Sequence, residues 1–148
     1  MKAEFEIDPW KVIQKGFDKN INQTAESIFR LGNGRLGGRG NHIIKSDVKS
    51  LMGNYITGIY YPDKTKVGWW KNGYPEYFAI VINSVNYLGI EITIGNMEFV
   101  ISADNISEYK STLDMKSGLL SRSFHTSNSE GQTISIHTER FFDMEQQN

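Results

Sequence analysis

Five of the nine residues from Gly32 to Gly40 are glycine, within the stretch AESIFRLGNGRLGGRG that spans residues 25–40. No helix or strand interior tolerates that density, because glycine loses more backbone freedom on ordering than any other residue. The segment is therefore expected to be a turning loop in which backbones approach closely. Within it, Gly32, Gly34 and Gly37 satisfy G-x-G-x-x-G, the pattern of a pyrophosphate cradle. Such a cradle needs a hydrophobic strand before its first glycine, a helix opening at its last, and an acid about twenty residues further on. Here Glu26-Ser27-Ile28-Phe29 is a short, partly polar lead-in, and Gly38 and Gly40 stand where the helix should begin. No Gly-Lys-Ser/Thr follows to make a Walker loop. The glycines read as structural.

The second half of the chain is written in strands. Tyr77 to Ile82 is a continuous aromatic and β-branched run, and Ile90, Ile92 and Ile94 alternate with polar residues at the period of a strand with one wet face. Gly95-Asn96 predicts a hairpin turn into Met97 to Ile101. Leu120, Arg122 and Phe124 share a face of the next strand, and Ser129-Glu130-Gly131 turns the chain into residues 132–140, where Ile134 and Ile136 share another. Residues 1–24 are polar and mixed, with a short helical turn from Pro9 to Gln14 capped by Asp8. Strands succeed one another with no helical pattern of ten residues between them. That predicts a mostly-β fold with little helix, an antiparallel β-sandwich rather than a parallel α/β sheet. A chain of 148 residues suits one domain, long enough to bury roughly 70% of its unfolded surface.

Composition removes several chemistries. With no cysteine there is no disulfide, thiolate zinc site or cysteine nucleophile. Sixteen Lys and Arg against seventeen Asp and Glu give a net charge of −1, which supplies no field for nucleic acid or an anionic membrane. No apolar run approaches the eighteen or so residues of a membrane span. The acidic residues near the start, without a long apolar run, predict a mature cytoplasmic protein. The sequons at Asn22 and Asn105 then read as chance matches. His42, His125 and His137 lack metal-ligand spacing, although His125 and His137 could meet across adjacent strands. No G-x-S-x-G elbow is present.

One stretch remains. Residues 60–77, YYPDKTKVGWWKNGYPEY, combine adjacent tryptophans, four tyrosines and three lysines with turn residues. Flat aromatic faces beside amide and ammonium donors suit a sugar ring, which makes Trp69, Trp70, Lys71 and Asn72 candidates for substrate contact. Tryptophan is also the commonest interface anchor, and the reading favoured here is that the same four residues pack the segment onto the domain or onto a neighbouring one.

At these residues a family resemblance becomes visible. Ala25 to Gly40, Gly53 to Tyr60, Leu113 to Arg122 and Glu139 to Met144 resemble, in order, the N-terminal signatures of glycoside hydrolase family 65, with Asp143 where serine is usual. Tyr61 to Phe78 is most similar to the maltose phosphorylase branch of that family. The resemblance implies an N-terminal β-sandwich of the super-sandwich type, followed in the whole enzyme by a linker, an (α/α)6 barrel and a small sheet domain. It also implies phosphorolysis of an α-glucosidic disaccharide, with inversion, to β-glucose 1-phosphate and glucose. Inorganic phosphate is then the co-substrate, no metal or organic cofactor is needed, and the enzyme is a cytoplasmic homodimer. The general-acid glutamate and the phosphate-binding residues belong to the barrel, so none of residues 1–148 is expected to be catalytic. Residues 1–148 then form an incomplete sandwich whose partners are its own barrel and, through it, the disaccharide. The alternative is a free-standing carbohydrate-binding or dimerisation module. A sandwich lacking strands exposes an edge and an apolar face, so the isolated chain is expected to self-associate. Light scattering at high micromolar concentration checks this, and a clean monomer contradicts it.

Overall fold

The computed structural model describes residues 3–64 and 75–145, which contain twelve strands and one helix. In chain order these are β1 (Glu4–Ile7), β2 (Lys11–Lys15), α1 (Asn22–Ile28), β3 (Leu31–Gly32), β4 (Leu36–Gly38), β5 (Asn54–Ile56) and β6 (Tyr60–Lys64). There follow β7 (Tyr77–Val81), β8 (Ile92–Ile94), β9 (Met97–Phe99), β10 (Ile106–Asp114), β11 (Leu119–Ser127) and β12 (Thr133–Arg140). The fold is mostly β, antiparallel and sandwich-like. Its main layer is a five-stranded sheet in the order β1-β2-β10-β11-β12, so the N-terminal hairpin lies alongside the C-terminal meander. Three smaller sheets, β3-β4-β5, β6-β7 and β8-β9, accompany it.

The alternation read in β11 is fully realised. Leu120, Arg122, Phe124 and Thr126 are buried, while the residues between them are half-buried on the other face. Register carries the inner face across the sheet: Leu113 opposes Leu120 on one side and Val12 on the other, and Ser111 lies between Gln14 and Arg122. On this face two apolar clusters assemble. Ala25 and Phe29 from α1 and its end meet Leu113 and Leu120, and Phe29 has no exposure. Phe17, Ile44, Val48, Ile101, Tyr109 and Phe124 form the second. The opposing layer is stitched by main-chain bonds rather than by long strands, with Ile90 N donating to Ile43 O (2.7 Å), Lys45 N to Ile90 O (3.1 Å) and Ile101 N to Lys45 O (2.9 Å).

Two local expectations are corrected. Residues 9–14 do not form a helical turn. Asp8 to Lys11 closes a β-turn between β1 and β2, with Asp8 N bonded to Lys11 O at 3.0 Å and the Asp8 carboxylate accepting from Trp10 N at 2.9 Å. Proline suits the second position of a β-turn as well as the first helical position, and pairing of Val12 with Leu113 decides for the strand. The glycine stretch is not all loop either. Leu31-Gly32 pairs with Gly37-Gly38 around a turn whose Gly34 has φ +87°, and β4 then pairs with β5. The helix precedes the glycines instead of following them, so the nucleotide fingerprint is inverted in space. The hairpins at Gly95-Asn96 and before β12 form as expected, with Gly95 and Gly131 at positive φ. Both sequon asparagines serve the interior: Asn22 Nδ2 donates to Glu26 and Lys49 O, and Asn105 Nδ2 to Val100 O and Ser127 O.

Gly40 shows why this part of the chain needs glycine. A Cβ there would lie 2.6 Å from Phe29 Cβ and 2.8 Å from Phe29 O. Gly40→Ala is expected to destabilise the fold by about 1–3 kcal/mol through overpacking. Urea unfolding measures this, and an unchanged midpoint contradicts it.

Candidate functional site

Strands β6 and β7 form an antiparallel ribbon, with Tyr60 opposite Val81, Tyr61 opposite Ile80 and Asp63 opposite Phe78. It is β-branched and aromatic on both faces, and both faces are exposed, with Tyr61 at 60% and Tyr77 at 54%. A shallow cleft of about 260 Å³ on one face is lined by Tyr60, Pro62, Tyr77, Phe78 and Ala79. Trp69, Trp70, Lys71 and Asn72 lie outside the described residues; the ribbon's two strands are the stems of the segment that carries them.

The ribbon is anchored at its root. Asn54 on β5 donates from its main-chain N to Asn83 Oδ1 (3.2 Å), its carbonyl accepts from Ser84 N (2.6 Å), and its Nδ2 reaches Val85 O (3.4 Å). Thr57, in the turn that leads into β6, bonds through N to Arg35 O (2.7 Å) and through its hydroxyl to Gly34 O (2.8 Å). The glycine hairpin is thus the platform on which the aromatic ribbon stands.

Arginines hold that platform. Arg122 projects from β11 into the core and donates to Gly40 O (2.9 Å) and Asn41 O (3.3 Å), while Arg140 from β12 donates to Arg39 O (2.8 Å). Arg39 in turn donates to Gln23 O of α1 (2.7 Å). Below them Glu26, 1% exposed, accepts from Asn22 Nδ2 (3.0 Å), from the Ser50 hydroxyl and from Leu51 N (2.9 Å), and Gly40 N donates to Glu26 O (2.7 Å). A charged donor to a buried carbonyl is stronger than a neutral one, which is how one side chain fixes a glycine-rich backbone that cannot fix itself.

The same charges set the local proton equilibria. His42 packs against Phe17, Tyr109 and Phe124, with Nδ1 3.3 Å from the Arg122 guanidinium. Burial, reinforced by Arg122 and Arg140, holds its pKa well below 6.5, so the ring stays neutral and accepts from Arg122. Burial and the proximity of Arg122 push Arg140 down to about 10, against the opposing pull of Tyr87. Burial raises the Tyr87 phenol, with Arg140 opposing.

Of the other sequence candidates, His125 and His137 do lie on adjacent strands, but diagonally: His125 faces Ser135 and His137 faces Ser123. Each pairs with a glutamate, His125 with Glu108 at 3.7 Å and His137 with Glu139 at 3.4 Å. Among the described residues no three His, Asp or Glu side chains converge as a metal site would require. The arginine framework was not singled out in the sequence. Its signal was a charged residue on the apolar face of Leu120, Arg122 and Phe124.

The described residues thus form a mostly-β, sandwich-like domain that carries an exposed aromatic ribbon on an arginine-braced glycine platform. They present that ribbon to the outside, and no three potential metal-ligating side chains converge among them. The family described as "Glycosyl hydrolase family 65, N-terminal domain" matches residues 12–148, and the chain belongs to that family. It is 41% identical to the maltose phosphorylase of Bacillus subtilis (strain 168), over 95% of this chain and 18% of that protein. It is 28% identical to a kojibiose phosphorylase of Thermoanaerobacter brockii, over 90% of this chain and 16% of that protein. The solved structure of a "Putative kojibiose phosphorylase from human microbiome" superposes with a TM-score of 0.79 at 30% identity, covering 97% of this chain and 19% of its own. The chain therefore spans less than a fifth of the length of these relatives.

Neutral His42 makes a pH prediction. The unfolded chain takes up a proton near pH 6.5 that the folded chain refuses, so this group's contribution is fully present above 6.5 and is lost as pH falls toward the depressed folded value. The slope per titrating group is at most about 1.4 kcal/mol per pH unit. In His42→Asn, which keeps an acceptor within reach of Arg122, the stability difference between about pH 7.5 and about pH 5.5 is expected to shrink. Chemical unfolding at both values checks this, and equal differences in the two proteins contradict it.

Proposed function

We propose that this chain is the non-catalytic N-terminal domain of a maltose-phosphorylase-like enzyme. The carrying observation is the 41% identity to a maltose phosphorylase, which extends over 95% of the chain. The whole enzyme would cleave an α-glucosidic disaccharide with inorganic phosphate and invert the anomeric centre, releasing β-glucose 1-phosphate and glucose. A glutamate in a following barrel domain would protonate the glycosidic oxygen while phosphate attacks the opposite face. The domain would contribute by positioning, with Trp69 and Trp70 packing against the barrel or bordering its substrate entrance. The supporting geometry is the pairing of β6 with β7, whose aromatic residues are left exposed by the described part of the chain. No metal or organic cofactor enters this reading, and a cytoplasmic homodimer is the proposed assembly.

The double variant Trp69→Ala/Trp70→Ala in a full-length enzyme carrying this domain tests it. The expected result is a loss of about tenfold or more in kcat/KM for maltose phosphorolysis, or a clear fall in thermal midpoint, as when an interface anchor is truncated. Unchanged phosphorolysis together with unchanged stability overturns the role given to the ribbon. The exposed tyrosines also favour a second reading, a carbohydrate-binding module. Calorimetric binding of maltose or longer α-glucans to the isolated chain tighter than about 1 mM, or roughly −4 kcal/mol, would select it.

A further inference from the structure

Away from the ribbon, three separate segments enclose a cleft of about 470 Å³: the turn that precedes α1, the stretch after Ser46 and the turn that precedes β10. Lys19, Lys49, Asp47 and Asp104 all line it, yet none of the four forms a salt bridge among the described residues. In this they differ from Lys11, Lys15 and Lys45, each of which is paired with a carboxylate. Asn20 and Gln23 line the same cleft, and the hydrogen bonds of both run through main-chain atoms, which leaves their carboxamides free. Six polar side chains around one space, bonded neither to each other nor to the main chain, are available to a ligand.

The frame around them is fixed. Asp18 Oδ1 accepts from Asn20 N (2.9 Å), and Ile21 N closes the same turn on Asp18 O (3.3 Å). Ser46 Oγ donates to Ile101 O (3.1 Å) and accepts from Val48 N (3.2 Å), which ties the second segment to the third. Asn105 Oδ1 accepts from Ser102 N (2.8 Å), and Ser102 Oγ accepts from Asp104 N (3.3 Å). Val48, a buried member of the core, and Ala103 add a small apolar patch to the lining. A frame already ordered spares a ligand the cost of ordering it.

The lining selects a kind of ligand. Two ammonium groups and two carboxylates cancel in charge, which favours a neutral molecule over an ion. Ammonium groups only donate, carboxylates only accept and carboxamides do both, so the matching ligand carries many groups that donate and accept at once, as vicinal hydroxyls do. Among the described residues no third carboxylate or histidine joins Asp47 and Asp104 to make a cation site. The volume lies within the ~300–1,000 Å³ of small-molecule sites, room for one or two hexose rings. We propose that this cleft binds a neutral sugar of one or two hexose units through its hydroxyls, at a site that shares no residue with the cleft on the ribbon. The site stands on its own chemistry; only the choice of maltose as the first probe rests on the function proposed above.

The test is a titration of the 15N-labelled 148-residue chain with maltose, and in parallel with lactose and with the zwitterion glycine. Expected for maltose are saturable shifts of the Asn20, Val48 and Ala103 amides with a Kd of about 1–10 mM, and none of comparable size at Phe78 or Ala79 in the ribbon. Asp47→Asn and Asp104→Asn, both exposed changes, should each weaken binding about fivefold or more, as when a charged hydrogen-bond partner becomes neutral. Lys49→Gln, which removes a donor from outside both turns, should weaken it similarly and serves if either aspartate variant loses thermal stability. Lys116→Gln, outside the cleft, should leave binding unchanged. Saturation of the cleft by lactose but not by maltose supports the site and counts against the maltose phosphorylase reading, so the two fail separately. The proposal is overturned if neither sugar gives saturable shifts, if the shifts fall on the ribbon instead, if glycine reproduces them, or if binding survives the aspartate and lysine changes undiminished.

Discussion

The Arg122 guanidinium, buried beneath the main sheet and bonded to the carbonyls of Gly40 and Asn41, is the contact on which the rest of the molecule depends. Glycine-rich backbone has no side chains with which to hold a position, so it must be held by something else. Here the holders are a cation from β11, a second from β12 at Arg39 O, and the carbonyl of Glu26 from α1. The Tyr109 ring lies 5.9 Å from the Arg122 guanidinium, and neutral His42 sits at its edge. Replacing this framework with apolar groups would remove a desolvation penalty, but it would also leave three or more carbonyls unsatisfied.

From that framework the functional geometry follows outward. The fixed hairpin supports β5, Asn54 on β5 roots the ribbon, and the ribbon presents its tyrosines to the outside. The candidate site is therefore a chain of supports and not a pocket in the core. The larger cleft of about 470 Å³, lined by residues such as Lys19, Asp47 and Asp104, is polar and carries no aromatic platform.

How much of this could be read beforehand depended on whether the pattern was local. The hairpin at Gly95-Asn96, the run from Tyr77 and the alternation of Leu120, Arg122 and Phe124 were legible because turn chemistry and period-two burial are written in neighbouring residues. Helix α1 was not. Its seven residues, NQTAESI, carry no side-chain cap and bury Asn22 and Glu26 as well as Ala25, so no amphipathic stripe marks it. The strand pairing of the glycine hairpin was equally silent, since the arginines that hold the backbone just after it, Arg122 and Arg140, stand some 80 to 100 residues away. Family membership was legible from motifs that span the chain, whereas Trp69, Trp70, Lys71 and Asn72 lie outside the described residues.

Those long separations have a consequence for how the molecule comes into being. Gln14 pairs with Ser111, Asn33 Nδ2 bonds Asp143 O across 110 positions, and Arg140 reaches Arg39 across 101. A polypeptide emerging from the ribosome must present β2 and the glycines long before their companions exist. Contacts of such long sequence separation slow folding, although β1–β2 and β3–β4–β5 can pair locally first. The two arginines thus tie the amino-terminal glycine segment to strands that follow it in the chain by 82 and 101 positions.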